Sequence, residues 1–160
     1  MTLTCVDGDP LHTRAHVLAF GHNARGRTEL GDFETHLASR YPAAFSTYTR
    51  LCKQERITAG TYWLWRDSRP ILMFAVVRAS ATGATRLRYV QSIALKLAQE
   101  YRLEGLRSVA FAPLGSAIEQ AELRPILETW LGRSALPVVV YRSIMPGVQA
   151  VEGFEQGQPG

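Results

Sequence analysis

The sequence predicts one α/β domain in which helices cover both faces of a mixed central sheet, a three-layer α/β/α arrangement. The length of 160 residues fits a single domain with a substantial core. A composition of 46% hydrophobic and 20% charged residues is typical of a globular protein and not of a disordered one. Apolar and β-branched runs also alternate along the chain with stretches whose apolar residues recur at helical spacing, which favours the α/β class.

The first half of the chain contains two predicted strands, a glycine-rich turn and two predicted helices. Residues 2–6 and 16–20 are the strands, because they are apolar and β-branched and end near turn-forming residues. Helical spacing begins after Gly31. Pro42 then stands where the first turn of a second helix tolerates proline. The predicted order is therefore strand, strand, helix, helix.

A hairpin opens the second half. Residues 61–66 and 70–77 are its strands, and the second of them is apolar on both faces, which is typical of an interior strand. The remaining predicted elements are a helix from Thr85 to near Gly105, a strand over 108–112, a helix with apolar residues from Leu123 to Leu131, and a last strand over 137–141. Pro125 requires the last helix either to start close to Leu123 or to kink. We expect a domain over residues 2–145 and a flexible tail over 146–160 that has little to bury.

Charge and cysteine content narrow the function classes. The net charge is +4, and the 18 Lys and Arg residues are scattered, which favours an anionic ligand or weak nucleic-acid contact without separating the two. Cys5 and Cys52 lie far apart with no CxxC, and the four histidines show no ligand spacing, so we expect no metal, no cofactor and reduced thiols in a cytoplasmic protein. The N-terminus lacks a basic start followed by an apolar run, so we expect neither export nor a membrane partner.

The most informative stretch is the second strand with its glycine-rich turn. Asn23 ends the strand, and Gly26 and Gly31 follow before a helix, an order that can present backbone N–H groups to a phosphate. The alternative is a tight connection that binds nothing, because the turn lacks the Lys-Ser/Thr of a P-loop. Ligands of α/β domains bind beyond the carboxyl ends of the strands. We therefore expect the loops 23–31, 78–83 and 113–118 to line one cleft.

Backbone amides of Gly26, Arg27 and Gly31 are the predicted donors to a diphosphate in this cleft. The guanidinium of Arg78, at the end of a buried strand, would add a charge-assisted contact. Each arginine could instead be a solvated surface residue.

Four segments together carry a family resemblance: Val6-Asp7-Gly8-Asp9, the segment 40–45 (Arg-Tyr-Pro-Ala-Ala-Phe), Ala112-Pro113-Leu114-Gly115, and Val138 to Tyr141. With Asn23 at the strand end, they resemble the macrodomain family of ADP-ribose-binding modules. The resemblance is greatest to bacterial antitoxin-type macrodomains that remove ADP-ribose from nucleobases. It implies that Asp9 accepts from the adenine amino group, that Tyr141 lies beside the adenine, and that Gly115 and Ser116 begin the second phosphate loop.

The chain also departs from this family. Phe20 stands where the family has the first of two asparagines, and the segment after Gly115 lacks the family's further glycines. The catalytic lysine of the antitoxin branch corresponds here to Val77 or Arg78, and arginine stays protonated at neutral pH. If the domain hydrolyses an ADP-ribosyl bond, we expect a carboxylate of the first turn to act, Asp32 before Glu29.

The spacing of Asp32 to His36 resembles the Asp-to-His step of a hydrolase branch, although a carboxylate there also serves as an ordinary partner of the helix dipole. His22 is a second candidate acid or base. The expected function is binding of ADP-ribose or of ADP-ribosylated protein or nucleic acid, with hydrolysis left open. The alternative is a degenerate macrodomain that serves as a protein- or nucleic-acid-interaction module without hydrolase activity. The oligomeric state does not follow from the sequence.

Overall fold

The structure is a computed structural model that describes residues 3–29 and 31–154. These residues form six strands, four α-helices and one short 3₁₀ helix. In chain order they are β1 (Leu3–Gly8), the 3₁₀ helix (Pro10–His12), β2 (Val17–Asn23), α1 (Asp32–Arg40), α2 (Pro42–Lys53), β3 (Tyr62–Trp65), β4 (Ile71–Arg78), α3 (Leu87–Glu100), β5 (Val109–Phe111), α4 (Ala117–Leu131) and β6 (Val138–Ile144).

The strands form one mixed sheet in the order β1-β6-β5-β2-β4-β3. Neighbours from β1 to β4 are parallel, and only the hairpin strand β3 runs antiparallel to β4. The predicted mixed sheet is confirmed. The last strand, β6, lies inside the sheet between β1 and β5, so the edges are β1 and β3.

Helices cover both faces of the sheet, which confirms the three-layer prediction. On one face α3 and α4 pack their apolar stripes against alternate residues of the strands. On the other face α1 and α2 cover β2 and β4. The buried helix residues are Val90, Ile93, Ala94, Leu97, Leu123, Leu127 and Leu131 on the first face, and Phe33, Leu37, Ala44, Tyr48 and Cys52 on the second.

The segment 146–154 covers the part of the second face that α1 and α2 leave open. Ala150 and Phe154 are buried in a cluster with Val139 and Tyr141 of β6. The buried Glu152 carboxylate accepts hydrogen bonds from Thr13 Oγ1 and Tyr141 Oη, both at 2.6 Å, and from the Arg14 amide at 2.9 Å. The expectation that the chain has little to bury from residue 146 is therefore wrong for these residues. The predicted tail over 155–160 lies outside the described residues.

Helix α4 begins six residues before Leu123, with Pro125 inside it. Its first turn is closed by a capping box, in which Ser116 is the N-cap and Glu119 reaches back to the N-cap amide. Of the two alternatives that Pro125 left open, a start close to Leu123 is therefore excluded. In the part of the chain that the structure describes, no helix is both long and apolar enough to cross a membrane.

A register shift at the shared end of β2 and β4 brings two predicted site residues together. His22 pairs with Val76, and the next residue, Asn23, pairs with Arg78, so β4 carries one extra residue there. Since parallel strands end at the same edge of a sheet, the loops after β2, β4 and β5 start side by side. This edge carries the candidate site.

Replacing Tyr141 with Phe should lower the free energy of unfolding by about 1.5–3 kcal/mol, because it removes a buried hydrogen bond to a carboxylate. Burial and the adjacent Glu152 carboxylate raise the pKa of Tyr141, so the phenol stays protonated and donates. Urea unfolding followed by circular dichroism measures the loss. Tyr101→Phe is the control, since its hydroxyl accepts a hydrogen bond from the exposed Arg102. Equal destabilisation by the two changes would show that the hydrogen bond from Tyr141 to Glu152 does not stabilise the domain.

Candidate functional site

The three loops predicted to line one cleft meet in a cavity of about 180 Å³. We call it the loop cavity. Its walls come from the loop after β2 (Glu29), the loop after β4 (Arg78 to Thr85) and the loop after β5 (Pro113 to Ser116). The convergence predicted from the strand ends is therefore confirmed. The other lining residues are Phe20, Gly21, Phe33, Glu34 and Glu119.

Arg78 ties these three loops together. Its Nη1 donates to the Glu29 carboxylate, and its Nη2 donates to the Leu114 carbonyl at 2.9 Å and to Thr85 Oγ1 at 3.1 Å. Both charged side chains are nearly buried, with 12% of the arginine and 11% of the glutamate exposed. The buried charges thus compensate each other, and the guanidinium joins loops that are far apart in sequence.

Asn23 shapes the loop after β2 from within. It is fully buried, and its Oδ1 accepts from the Arg25 and Arg27 amides at 3.1 Å each. Its Nδ2 donates to the Arg27 carbonyl at 3.0 Å and to the Glu29 carboxylate. The amide side chain is therefore occupied by its own loop. Its predicted ligand-binding role becomes one of positioning Glu29.

The predicted start of the second phosphate loop is occupied by a carboxylate of the protein itself. Glu119 accepts from the Ser116 amide at 2.8 Å and from the Thr85 amide at 3.2 Å. A Cβ atom added at Gly115 would lie 2.7 Å from Glu119 Oε1, so the carboxylate sits directly against this glycine. Glu119 therefore holds donors that a ligand phosphate would otherwise use. The sequence analysis missed it, although the Ser-x-x-Glu spacing of a capping box is readable.

A second cavity of about 360 Å³ adjoins the first, and we call it the turn cavity. It shares Phe33 and Glu34 with the loop cavity, so the two are neighbours, and we refer to them together as the cleft. The other lining residues are Asp9, Leu11, Gly31, Asp32, His36, Ile144 and Pro146.

Asp9 lies at the far end of this cleft and is nearly buried. One carboxylate oxygen accepts from the Leu11 amide at 3.0 Å, and the other from the Gly147 amide at 2.9 Å. A carboxylate offers about four lone-pair sites, so Asp9 retains capacity to accept from a ligand amine. It also fastens the C-terminal segment to the turn after β1.

Glu34 lines both parts of the cleft. Gly31, the residue that caps α1, has a φ of 129°, and a Cβ atom there would collide with the Glu34 carboxylate. Burial is the main cause that raises the pKa of Glu34, and the nearby Glu29 raises it further. A half-buried carboxylate of raised pKa at the centre of the cleft is a functional-site feature that the sequence analysis did not select.

A third cavity, of about 470 Å³, lies between α1, α2 and the loop after β2. We call it the helix cavity. Gly26 and Arg27, predicted to contact a diphosphate beside Gly31, line this cavity and not the loop cavity. The prediction that they share a site with Gly31 is therefore wrong, because Asn23 folds the loop outward toward α2. The other lining residues are Phe20, His22, Thr28, Glu29, Glu34, Leu37, Ala38, Phe45, Ser46, Thr49, Arg50 and Lys53.

The two predicted catalytic carboxylates occupy different surroundings. Asp32 lines the turn cavity near Asp9, away from Arg78. Glu29 lines the loop cavity, where Arg78 and Asn23 bind its two oxygens. The catalytic role stays a prediction for both. Across the described ranges 3–29 and 31–154, no three His, Cys, Asp or Glu side chains are grouped so that they could hold a metal ion.

Tyr141 does not face the cleft. It is fully buried in the cluster under the C-terminal segment, and its hydroxyl donates to Glu152. The predicted position beside an adenine is therefore wrong in this structure. The segment 146–154, which we expected to be part of a flexible tail, covers the Tyr141 side chain.

His22, proposed as a candidate acid or base, is buried among aromatic rings. The ring centroids of Phe45, Tyr48 and Phe74 lie 5.8, 4.9 and 5.8 Å from its own. Burial, followed by the positive charge of Arg78, lowers the pKa of His22 to about 4. The imidazole is therefore neutral at physiological pH, and its Nδ1 accepts from the Asn23 amide at 2.8 Å.

This pKa predicts that acid destabilises the domain through His22. Between pH 6.5 and about 4 the unfolded chain binds a proton that the folded domain rejects, so the free energy of unfolding falls as pH falls. The expected loss attributable to His22 is about 2 kcal/mol from pH 7 to pH 5.

Urea unfolding at a series of pH values measures this loss. His22→Gln should remove that part of the pH dependence, whereas His36→Gln, at an exposed position, should keep it. An unchanged pH profile in the His22 variant would show that another group is responsible.

Comparisons with known proteins rest on structure. No protein-family model matches the chain, and no curated protein matches its sequence. Solved structures match it with probability 1.00, at sequence identities between 14% and 22% for the similar structures considered. At such identities the likeness concerns the fold.

Three of these structures belong to DarG or DarTG proteins. The DarG macrodomain of Thermus aquaticus matches with a TM-score of 0.77 and 18% identity, over 90% of this chain and 98% of that chain. That of Mycobacterium tuberculosis matches with a TM-score of 0.74 and 22% identity, over 87% of this chain and 96% of that one. Thermosipho africanus DarTG, in complex with ADP-ribose, matches with a TM-score of 0.80 and 18% identity, over 93% of this chain and 43% of that chain. The chain has the macrodomain fold, and DarG macrodomains are among its structural relatives.

Proposed function

We propose that the cleft formed by the turn cavity and the loop cavity binds ADP-ribose, either free or attached to protein or nucleic acid. The observation that carries the proposal is the adjacency of the two cavities, whose linings together extend from Asp9 through Phe33 and Glu34 to Arg78. It lies at the carboxyl ends of parallel strands, where α/β domains bind ligands. The similarity to Thermosipho africanus DarTG, a structure in complex with ADP-ribose, supports the same ligand.

In this proposal the adenine occupies the turn cavity. Asp9 accepts from the exocyclic amine, and the aliphatic side chains of Leu11 and Ile144 contact the ring. The cavity of about 360 Å³ is within the range of about 300–1,000 Å³ usual for small-molecule sites.

The diphosphate occupies the region between Gly31 and the loop cavity. The N-terminus of α1 begins at Asp32, and that of α4 follows Ser116, so two helix dipoles direct their positive ends toward it. Arg78 adds a full positive charge. Against these stand the carboxylates of Glu34 and Glu119, so we expect the ligand to displace Glu119 from its amide donors.

The proposal concerns binding. Cleavage of an ADP-ribosyl bond needs a carboxylate that is free to take a proton from water. Arg78 and Asn23 already bind the Glu29 carboxylate, and Asp32 lines the adenine end of the cleft. Hydrolysis, a bacterial origin and a cytoplasmic location remain predictions from the sequence.

Isothermal titration of the domain with ADP-ribose tests the proposal. Asp9→Asn should weaken binding about ten- to a hundred-fold, because a charge-assisted hydrogen bond of about 1.5–3 kcal/mol to the adenine amine becomes a neutral one. Asp7→Asn is the matched control, since Asp7 lies two residues away on β1 and pairs with Arg142 at the exposed surface.

The melting temperature is measured for both variants, because Asp9 also accepts from Gly147. No heat on titrating the folded wild-type domain with ADP-ribose would contradict the proposal. That result would favour the degenerate macrodomain that serves as an interaction module.

Glu119→Gln should strengthen ADP-ribose binding about five- to ten-fold, because it removes a negative charge beside the proposed diphosphate. Glutamine also completes a capping box, so α4 keeps its first turn. Glu122→Gln makes the same charge change at an exposed position of the same helix, and should leave affinity unchanged. If Glu119→Gln binds no more tightly than Glu122→Gln, Glu119 does not compete with the ligand.

A further inference from the structure

The helix cavity has no part in the function proposed above, although it is of ligand size and lies beside the cleft. Its volume of about 470 Å³ is in the usual range of small-molecule sites. Glu29 and Glu34 form the wall that it shares with the cleft. Its opposite wall is α2, which takes no part in the cleft.

The floor of the helix cavity is aromatic and aliphatic. The rings of Phe20 and Phe45 are stacked with centroids 5.8 Å apart and an angle of 17° between their planes. Leu37 of α1 is fully buried beneath them, whereas Phe45 remains partly exposed. A flat ring that lay against Phe45 would bury apolar surface on both partners.

The rim of the helix cavity is basic. Arg27, Arg50 and Lys53 line it, and all three are exposed. The ion pairs found among the residues the structure covers do not include any of the three. Arg50 and Lys53 lie in the last turn of α2, where positive charges interact favourably with the helix dipole. This interaction does not occupy their N–H donors, which can therefore bind an anion.

The acidic wall does not neutralise this rim. Glu29 is already paired with Arg78, and among the described residues Glu34 forms no ion pair with any of the three rim cations. A guanidinium fork matches the two oxygens of a carboxylate, and two of the three rim cations are arginines. The cavity thus combines an aromatic surface on Phe45 with positively charged side chains at its rim.

We propose that the helix cavity is a second binding site, for a small aromatic carboxylate. The ring stacks on Phe45 above Phe20, and the carboxylate is held by Arg50, Lys53 and Arg27. Ser46 and Thr49, which line the same wall, supply hydroxyl groups to the ligand edge. Phe45, Arg50 and Lys53, which would hold the ring and the carboxylate, belong to α2 and lie outside the proposed ADP-ribose site.

Naphthalene-2-carboxylate is a suitable probe, and its neutral analogue 2-naphthalenemethanol isolates the contribution of the charge. We expect titration calorimetry to give a dissociation constant for the carboxylate below about 1 mM, with the alcohol at least about ten-fold weaker. Arg50→Gln/Lys53→Gln should weaken carboxylate binding by about ten-fold or more. Arg86→Gln/Arg133→Gln makes the same charge change at exposed positions outside the cavity and should have no effect.

Ser46→Trp fills the cavity from an exposed position of α2 and should abolish probe binding. Ala43→Trp, also exposed on α2 but outside the cavity, should not. Titration with ADP-ribose should give the same result for both variants as for wild type, whether or not the cleft binds it.

Three results would overturn the proposal: no probe binding to the folded wild-type domain at millimolar concentration, equal affinity for the alcohol, or probe binding that survives Ser46→Trp. A mixed-sequence single-stranded oligonucleotide serves as the alternative ligand. If it binds the wild type but not Ser46→Trp, and the carboxylate binds neither, the basic rim belongs to a nucleic-acid site and the proposal is wrong.

Discussion

The buried guanidinium of Arg78 is the constraint on which the site depends. Moving an ion pair out of water is unfavourable unless the partners satisfy one another completely. Here the Glu29 carboxylate accepts from Nη1, while the Leu114 carbonyl and the Thr85 hydroxyl, in two other loops, accept from Nη2. Any conformation that separates these loops leaves a charge buried without a partner. The ion pair and hydrogen bonds of Arg78 therefore fix the relative positions of the three loops that line the loop cavity.

The position of Glu29 decides how the space above the sheet is divided. Arg78 and Asn23 fix its carboxylate from opposite sides, and that carboxylate stands between the loop cavity and the helix cavity. In the same loop Gly26 lies against Thr49 and Cys52 of α2, whereas Gly31 lines the turn cavity. The Glu29–Arg78 ion pair thus lies between the cleft and a neighbouring cavity whose lining includes Arg27, Arg50 and Lys53.

The elements of the fold follow from local patterns, and the exceptions have physical reasons. Helical spacing after Gly31, Pro42 at the start of α2, and the apolar run of β4 are short-range features that any tertiary context preserves. Pro125 left the start of α4 open, and the capping box of Ser116 and Glu119 places it at Ala117. Packing of 146–154 depends on an uncovered part of the sheet face, which no local pattern describes.

The sequence by itself determined the layer architecture, the edge of the sheet where the loops meet and the place of Arg78 at a strand end, because strand ends and turn residues are local properties. Asp9 and Gly115 were candidates through the resemblance to the macrodomain family. Only the tertiary structure decided which polar groups stay available. The sequence analysis predicted Asn23 and Tyr141 as ligand contacts. In the structure Asn23 donates a hydrogen bond to Glu29, and Tyr141 donates one to Glu152. The amide of Ser116 is likewise bonded to Glu119. Hydrogen-bond partners between distant segments are set by packing, and buried polar groups must find such partners.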